Sequence, residues 1–86
     1  MNFLPAIYTE SEPADIVVSA AEGTYIGRFD RSKYDSTQDA EEQAIWSIRL
    51  IASPDENTVK TLYPNGIKAY MHVWNDREDY NYQYSL

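Results

Sequence analysis

Short runs of alternating apolar and polar residues, separated by turn residues, make up most of the chain. Residues 15–20 are rich in β-branched side chains and predict a strand. A turn at 21–23 ends in glycine, and residues 24–29 resume the β-branched and aromatic pattern. The two runs predict a hairpin, in which Gly27 indicates a bulge or a close approach of another group to the backbone.

The clearest alternation in the middle of the chain lies in residues 44–51. Trp46, Ile48 and Leu50 share one face of this predicted strand, and the alternate positions from 47 to 51 share the other. We therefore expect one face to be buried against the core.

Turn residues at 52–57 lead into a further β run at 58–63, which predicts a second hairpin. Near the end of the chain, Tyr80, Tyr82 and Tyr84 alternate with polar residues. This period of two is typical of a half-buried strand.

One helical turn is predicted before the central strand. Ser36 or Thr37 is a suitable N-cap for a short helix through Ala40, Ala44 and Ile45. Acidic residues near its start complement the positive end of a helix.

Residues 67–75 fit two periods at once. The odd positions from Ile67 to Val73 alternate as in a strand, whereas Tyr70, Trp74 and Arg77 fall at helical spacing. We interpret this segment as a helical turn or a structured loop, because that gathers both large rings on one face.

The elements together predict a mainly β protein, a small antiparallel β-sandwich or barrel with one or two short helical turns. We expect residues 1–14 to form an N-terminal arm and residues 15–86 a single β domain. The predicted core consists of large apolar and aromatic side chains and one arginine that stacks on a tryptophan. Its members are Trp46, Ile48, Leu50, Tyr70, Trp74, Arg77 and Tyr82.

Length and charge narrow the classes of partner. A chain of 86 residues allows one domain. Its net charge of -7 opposes binding to nucleic-acid phosphate, and it has no cysteine for a disulfide or a Cys/His zinc site. No apolar stretch has the length of a membrane span, and the first residues lack the basic start of a signal peptide. We therefore expect synthesis in the cytoplasm of a cell, no membrane or nucleic-acid partner and no cofactor.

Residues 24–82 contain aromatic residues, glycines and arginines in a distinctive order and spacing. They are Tyr25-Ile26-Gly27, Trp46-Ser47-Ile48-Arg49-Leu50-Ile51, Tyr63-x-x-Gly66, Tyr70-x-x-Val73-Trp74-x-Asp76-Arg77 and Tyr80-x-Tyr82. In order and spacing this pattern resembles a group of small, mostly uncharacterised proteins encoded in the structural-gene regions of tailed bacteriophages. The sequence departs from that group at Leu50, where a basic residue is usual, and at Tyr63, where Trp is common. The resemblance implies a structural role in the capsid or tail of a virion and supplies no catalytic residues.

Candidate catalytic and metal-binding residues are few. His72 is the only histidine, and no Ser or Cys motif accompanies it and Asp76, so we interpret it as structural or solvated. Asp76, Glu78 and Asp79 form an acidic cluster, but their spacing does not match a calcium loop and Arg77 interrupts them. We predict no catalytic residue, no metal site and no enzymatic activity.

Two further binding functions fit parts of the chain. Trp74 with neighbouring tyrosines would stack against sugars if the rings were exposed, although core packing is the simpler interpretation. The acidic run from Asp35 to Glu42 would mimic nucleic-acid phosphate and inhibit a basic host protein, although such runs are usually solvated surface.

The arm carries apolar residues, which in a terminal arm usually pack against their own domain but here are also suited to contact with another subunit. These residues are Phe3, Leu4, Ile7 and Tyr8, with Pro5 among them. We therefore expect a non-enzymatic component of a tailed-phage virion that contacts other phage structural proteins and is oligomeric or present in many copies. The alternatives are the acidic inhibitor and, after it, the glycan-binding module.

Overall fold

The computed structural model of the chain describes residues 14–86. In this part, six strands form one open antiparallel sheet joined by short turns, which confirms the predicted mainly β class. The strands are β1 (Ile16–Ala20), β2 (Gly23–Phe29), β3 (Ala44–Asp55), β4 (Thr58–Pro64), β5 (His72–Val73) and β6 (Tyr82–Gln83). The 3₁₀ segments are Arg31–Lys33, Ala40–Glu42 and Trp74–Asp79.

β3 is the longest strand and lies at the centre of the sheet. The strand order is β1–β2–β3–β4–β6, and β5 also pairs with β3. Because β3 has 12 residues, the edge opposite β2 accommodates β5 beside residues 44–46 and β4 beside residues 50–55. The predicted hairpins β1–β2 and β3–β4 are both confirmed.

The turn between β3 and β4 is shorter than the predicted segment 52–57. β3 continues to Asp55, and two turn residues connect it to β4. The Ser53 hydroxyl donates to the carbonyl oxygens of Asp55 at 2.9 Å and Thr58 at 3.0 Å. The strand register shifts between Ala52 and Asp55, and such an irregularity tolerates Pro54, which has no N–H to donate.

The two faces of the sheet differ in composition. The buried cluster comprises Tyr25, Ile45, Trp46, Ile48, Leu50 and Trp74, and Ile45 lies where the pairing of β3 with β5 shifts its register. On β3 it uses the apolar face predicted from the alternation, and the other face carries Ser47, Arg49 and the buried Ile51. The sheet therefore has a closed aromatic side and a mixed polar side.

Gly27 allows a tryptophan ring to lie directly on β2. A Cβ atom there would stand 2.6 Å from Cε3 of Trp74 and 3.0 Å from Cε3 of Trp46. The two indole rings pack with their centroids 5.4 Å apart. The predicted close approach at Gly27 is therefore confirmed, and the β2–β3 register passes this position without a bulge.

Residues 67–75 do not form the single helical face predicted for them. The chain is irregular to Met71, extended through β5, and helical only from Trp74. The Met71 N–H donates to the carbonyl of Trp46 at 3.1 Å, so the edge of β3 captures this backbone as a strand. Tyr70 is therefore separated from Trp74 and Arg77.

The helix predicted after Ser36 or Thr37 is a single 3₁₀ turn that begins later. Its N-cap is Asp39, whose carboxylate accepts from the Glu41 N–H at 3.3 Å. Ala44 already belongs to β3, because pairing with the sheet outweighs a short helix that is marginal by itself.

The predicted core residues fall into three groups. Trp46, Ile48, Leu50 and Trp74 belong to the buried cluster, and Tyr82 packs against it. Arg77 lies 4.8 Å from the Trp74 ring centroid and donates to the Trp74 carbonyl at 3.3 Å, so the predicted stacking is confirmed. Tyr70 is the exception, because it lines the pocket on the opposite face of the sheet. The predicted helical turn, which would have placed Tyr70 beside Trp74 in the core, does not form.

The predicted contact residues Phe3, Leu4, Ile7 and Tyr8 lie outside the described residues, so the role of the arm stays a prediction. Within residues 14–86, no helix combines the length and the apolar character needed to cross a bilayer.

We expect Gly27→Ala to destabilise the protein by about 1–3 kcal/mol, because the added methyl group must displace buried indole rings. Chemical unfolding followed by tryptophan fluorescence measures the change. Ser19→Ala, at an exposed position of β1, is the control and should alter the free energy of unfolding by less than about 0.5 kcal/mol. Equal stability of the two variants would show that the rings shift without cost.

We expect Trp74→Ala to cost about 3–5 kcal/mol, because the ring is only 2% exposed and its removal opens a cavity. A loss of this size is a large part of the stability of a small domain. Thermal unfolding by circular dichroism tests it, and an unchanged melting temperature would contradict the buried position.

Candidate anion-binding pocket

His72, the only histidine, has a structural environment. It is 3% exposed, and its Nε2 lies 3.0 Å from the carbonyl oxygen of Ile67. Because a carbonyl oxygen only accepts, Nε2 carries the hydrogen in this contact. The ring also meets Tyr80 edge to face, with centroids 5.2 Å apart. His72 therefore fastens the loop before β5 to the sheet.

The acidic cluster after Trp74 is spread over the surface. Asp76, Glu78 and Asp79 are exposed, and residues 14–86 contain no group of three or more potential ligands placed to hold a metal ion. The Trp74 ring is buried, so it is not accessible for stacking against a sugar.

In the acidic loop between β2 and β3, several carboxylates accept hydrogen bonds from residues of the same turn. Asp30 and Asp35 accept backbone N–H groups two residues on, at 3.0 Å, from Ser32 and Thr37. The same carboxylates accept the hydroxyl groups of those residues at 2.7 Å. These hydrogen bonds, the hydroxyl bonds foremost, lower the pKa of Asp30 and of Asp35. The loop is exposed, but two of its carboxylates, those of Asp30 and Asp35, hold its turns in place through hydrogen bonds.

A pocket opens on the polar face of the sheet, opposite the aromatic core. Its volume is about 150 Å³. The residues that line it come from β2, β3 and β4, from the segment before β1 and from the loop between β4 and β5. They are Ala14, Ile26, Arg28, Ser47, Arg49, Tyr63, Lys68 and Tyr70.

Strand register brings the two arginines of the pocket together. Arg28 pairs with Ser47, and Ile26 pairs with Arg49, so all four side chains share one face of adjacent strands. Arg28 and Arg49 are diagonal neighbours in this arrangement, within reach for long side chains. Both are partly buried.

The loop after β4 supplies the remaining cation. The Ser47 hydroxyl donates to the Lys68 carbonyl at 2.8 Å, which fastens this loop beside β3. The Lys68 ammonium lies 5.7 Å from the centroid of the Tyr63 ring, and Lys33 donates to the Tyr70 carbonyl at 3.2 Å. One wall of the pocket is therefore aromatic and the rim is basic.

The pocket concentrates positive charge on an acidic chain. It holds three of the seven basic residues of a protein whose net charge is -7. Its lining also includes Ser47, Tyr63 and Tyr70, and the described residues contribute no carboxylate to it. The exposed Lys68 is the cation of this lining that a negatively charged group would meet from solvent.

Asp15, the neighbour of Ala14 in sequence, does not line the pocket, but its carboxylate interacts electrostatically with Arg28, which does. Its two carboxylate oxygens accept from the Arg31 guanidinium at 2.6 and 2.7 Å, and one also accepts from the Phe29 N–H at 3.0 Å. The hydrogen bonds from Arg31 are the main reason why the pKa of Asp15 is lowered. This pair holds the start of β1 to the end of β2.

Sequence reasoning did not identify the pocket. It assigned Arg49 and Ser47 to one face of β3 but did not connect them with Arg28 or Lys68. The signal in the sequence that could have revealed the pocket is the polar residues at alternate positions of two predicted neighbouring strands. Which of these residues lie next to each other on one face depends on the strand register.

Comparisons with protein-family models, with curated proteins and with solved structures give no match.

We expect Asp15→Asn to lower the free energy of unfolding at neutral pH by at most about 1 kcal/mol, because the Arg31 side chain is largely exposed. The pKa of Asp15 is lower in the folded state, so its contribution is present above the unfolded-state pKa of about 3.9. It is lost as the pH falls through the lower folded value. Urea unfolding of both proteins from pH 7 to about pH 2 should show the difference shrinking in acid.

The control for this series is Glu56→Gln, an exposed turn position. Its difference from the parent protein should stay small throughout. A deficit of Asp15→Asn that is constant down to the lowest pH would contradict the linkage to the Asp15 carboxylate.

Proposed function

We propose that the protein is a non-enzymatic interaction domain that joins a larger assembly, with the pocket face of the sheet as its contact surface. The observation that carries the proposal is the pocket on this face, with the exposed Lys68 and the aromatic Tyr63 and Tyr70 among its lining residues. The ammonium group of Lys68 would attract an opposite charge on a partner, and the net charge of -7 would repel that partner elsewhere.

The size of the pocket supports a contact role. Sites for drug-sized molecules usually enclose roughly 300–1,000 Å³. At about 150 Å³, this pocket suits one side chain or one small group of a partner. The surrounding strands supply a firm frame for such a contact.

The proposed setting is the virion of a tailed phage. Tyr25, Gly27, Trp46 and Trp74, which carry the resemblance to phage proteins, pack together on the closed face. The resemblance therefore concerns the residues that build the fold, and it supports a shared architecture more than a shared partner. In a particle with many copies, weak contacts would sum to stable attachment.

The first test of the proposed virion role is mass spectrometry of phage particles purified from infected cells. We expect the protein to be present in particles in many copies. Abundance in infected cells with absence from particles would contradict the virion role. If the protein binds a basic host protein in infected cells and does not enter particles, the alternative role as an acidic inhibitor is favoured.

The pocket is tested in the same particles with Lys68→Glu. Lys68 is exposed and lies in a loop, so this change should leave the melting temperature within a few degrees. We expect incorporation to fall, because the substitution reverses the exposed positive charge of the proposed contact surface. Lys60→Glu is the matched control, since Lys60 pairs with Ala52 on the other face of the sheet and should not change incorporation.

A further inference from the structure

We infer that the outer edge of β1 pairs with β1 of a second copy of the chain, in antiparallel orientation, so that two sheets join into one. This surface is separate from the pocket and goes beyond the contact proposed there. The observations that carry the inference are the open backbone of the edge, its lack of charge and its fit to its own two-fold image.

β1 stands at one end of the strand order, and within residues 14–86 no strand pairs with its outer side. Residues 16–20 include no charged side chain and no proline, the residues that usually block an open edge. The other end of the sheet differs, because β4 carries Lys60 and pairs with β6 at Tyr63 and Pro64. The edge of β1 is therefore the better template for another strand.

The register of the sheet determines which backbone groups of β1 face outward. The Asp30 N–H donates to the Ile45 carbonyl at 3.0 Å, in line with the β2–β3 register. Because the direction of these groups alternates along an antiparallel strand, the odd-numbered positions of β2 face β1 instead. They pair with the even-numbered residues of β1, so Val17 and Ser19 present their N–H and C=O groups to the open side.

An antiparallel second copy completes this backbone around a two-fold axis at Val18. Val17 of one copy then lies opposite Ser19 of the other, and each outward N–H meets an outward C=O. The two Val18 residues meet at the closely spaced position between these pairs. Val18 packs against the buried cluster of its own sheet, so the junction continues the apolar face from one copy to the other.

The same register keeps like charges apart. Asp15 comes opposite Ala21 of the second copy, and Glu22 comes opposite Ala14, so no carboxylate faces another. Asp15 is also paired with Arg31 of its own chain. Two chains of net charge -7 repel each other over most of their surface, and the uncharged edge is where a second copy meets least repulsion. Because salt screens that repulsion, the dimer should become stronger as the ionic strength rises.

The test is sedimentation velocity of the full-length protein between about 10 µM and about 1 mM, the range suited to a small interface. We expect a monomer–dimer equilibrium that shifts towards the dimer as salt is added. Ser19→Pro removes an outward N–H from each copy, which an edge strand tolerates, and should weaken the dimer roughly tenfold or more. Ser19→Ala keeps the N–H and is the matched control.

Hydrogen exchange of the parent protein locates the contact even if Ser19→Pro does not fold. We expect the Val17 and Ser19 amides to exchange more slowly at high protein concentration than at low concentration. The Val18 amide is already bonded within the sheet and serves as the internal reference, with little change between the two conditions.

A protein that stays monomeric over the whole concentration range would overturn the inference, as would a dimer that weakens with salt. Association without slower exchange of the Val17 and Ser19 amides would place the contact elsewhere. Open-ended growth would also contradict it, because a two-fold junction closes at the dimer. Lys68→Glu should dimerise like the parent protein, and loss of its dimer would assign the contact to the pocket face instead.

Discussion

The packing of the Trp46 and Trp74 rings over Gly27 is the contact on which the rest of the sheet depends. One ring belongs to the central strand and the other to the 3₁₀ segment near the C-terminal end, so their contact brings distant parts of the chain together. Ile48, which pairs with Gly27, is fully buried beneath them. A chain of 86 residues without cysteine has little other means of covering one face of a sheet, and large rings remove much apolar surface from water.

That packing has a consequence for the opposite face. Because the 3₁₀ segment covers the aromatic side, the loop that precedes it must cross the edge of β3, where the Met71 N–H donates to the Trp46 carbonyl. The crossing brings Lys68 and Tyr70 beside Ser47 and Arg49. The pocket is therefore a product of the same chain path that closes the core, although no residue of the buried cluster lines it.

Charge is distributed to match this division. Carboxylates of the long acidic loop form turns at Asp30, Asp35 and Asp39, and Asp15 is paired with Arg31. Three basic residues, Arg28, Arg49 and Lys68, lie instead in the lining of the pocket on the polar face.

The β class, the two hairpins, the apolar face of β3 and the close approach at Gly27 all follow from local sequence pattern. These features depend on periods of two residues and on turn residues that act over a few positions, so the local pattern is enough. It also indicated that Arg77 stacks on Trp74, because the two are three residues apart.

Long-range contacts set the conformation of residues 67–75, the place of Tyr70 and the existence of the pocket. The segment fits both a strand and a helix, and the free edge of β3 selects the extended form for residues 72 and 73. Arg28 and Arg49 meet through the register of two strands, and Lys68 joins them through a loop fastened by Ser47. Contacts between residues about 20 positions apart depend on the path of the whole chain, which local periodicity does not encode.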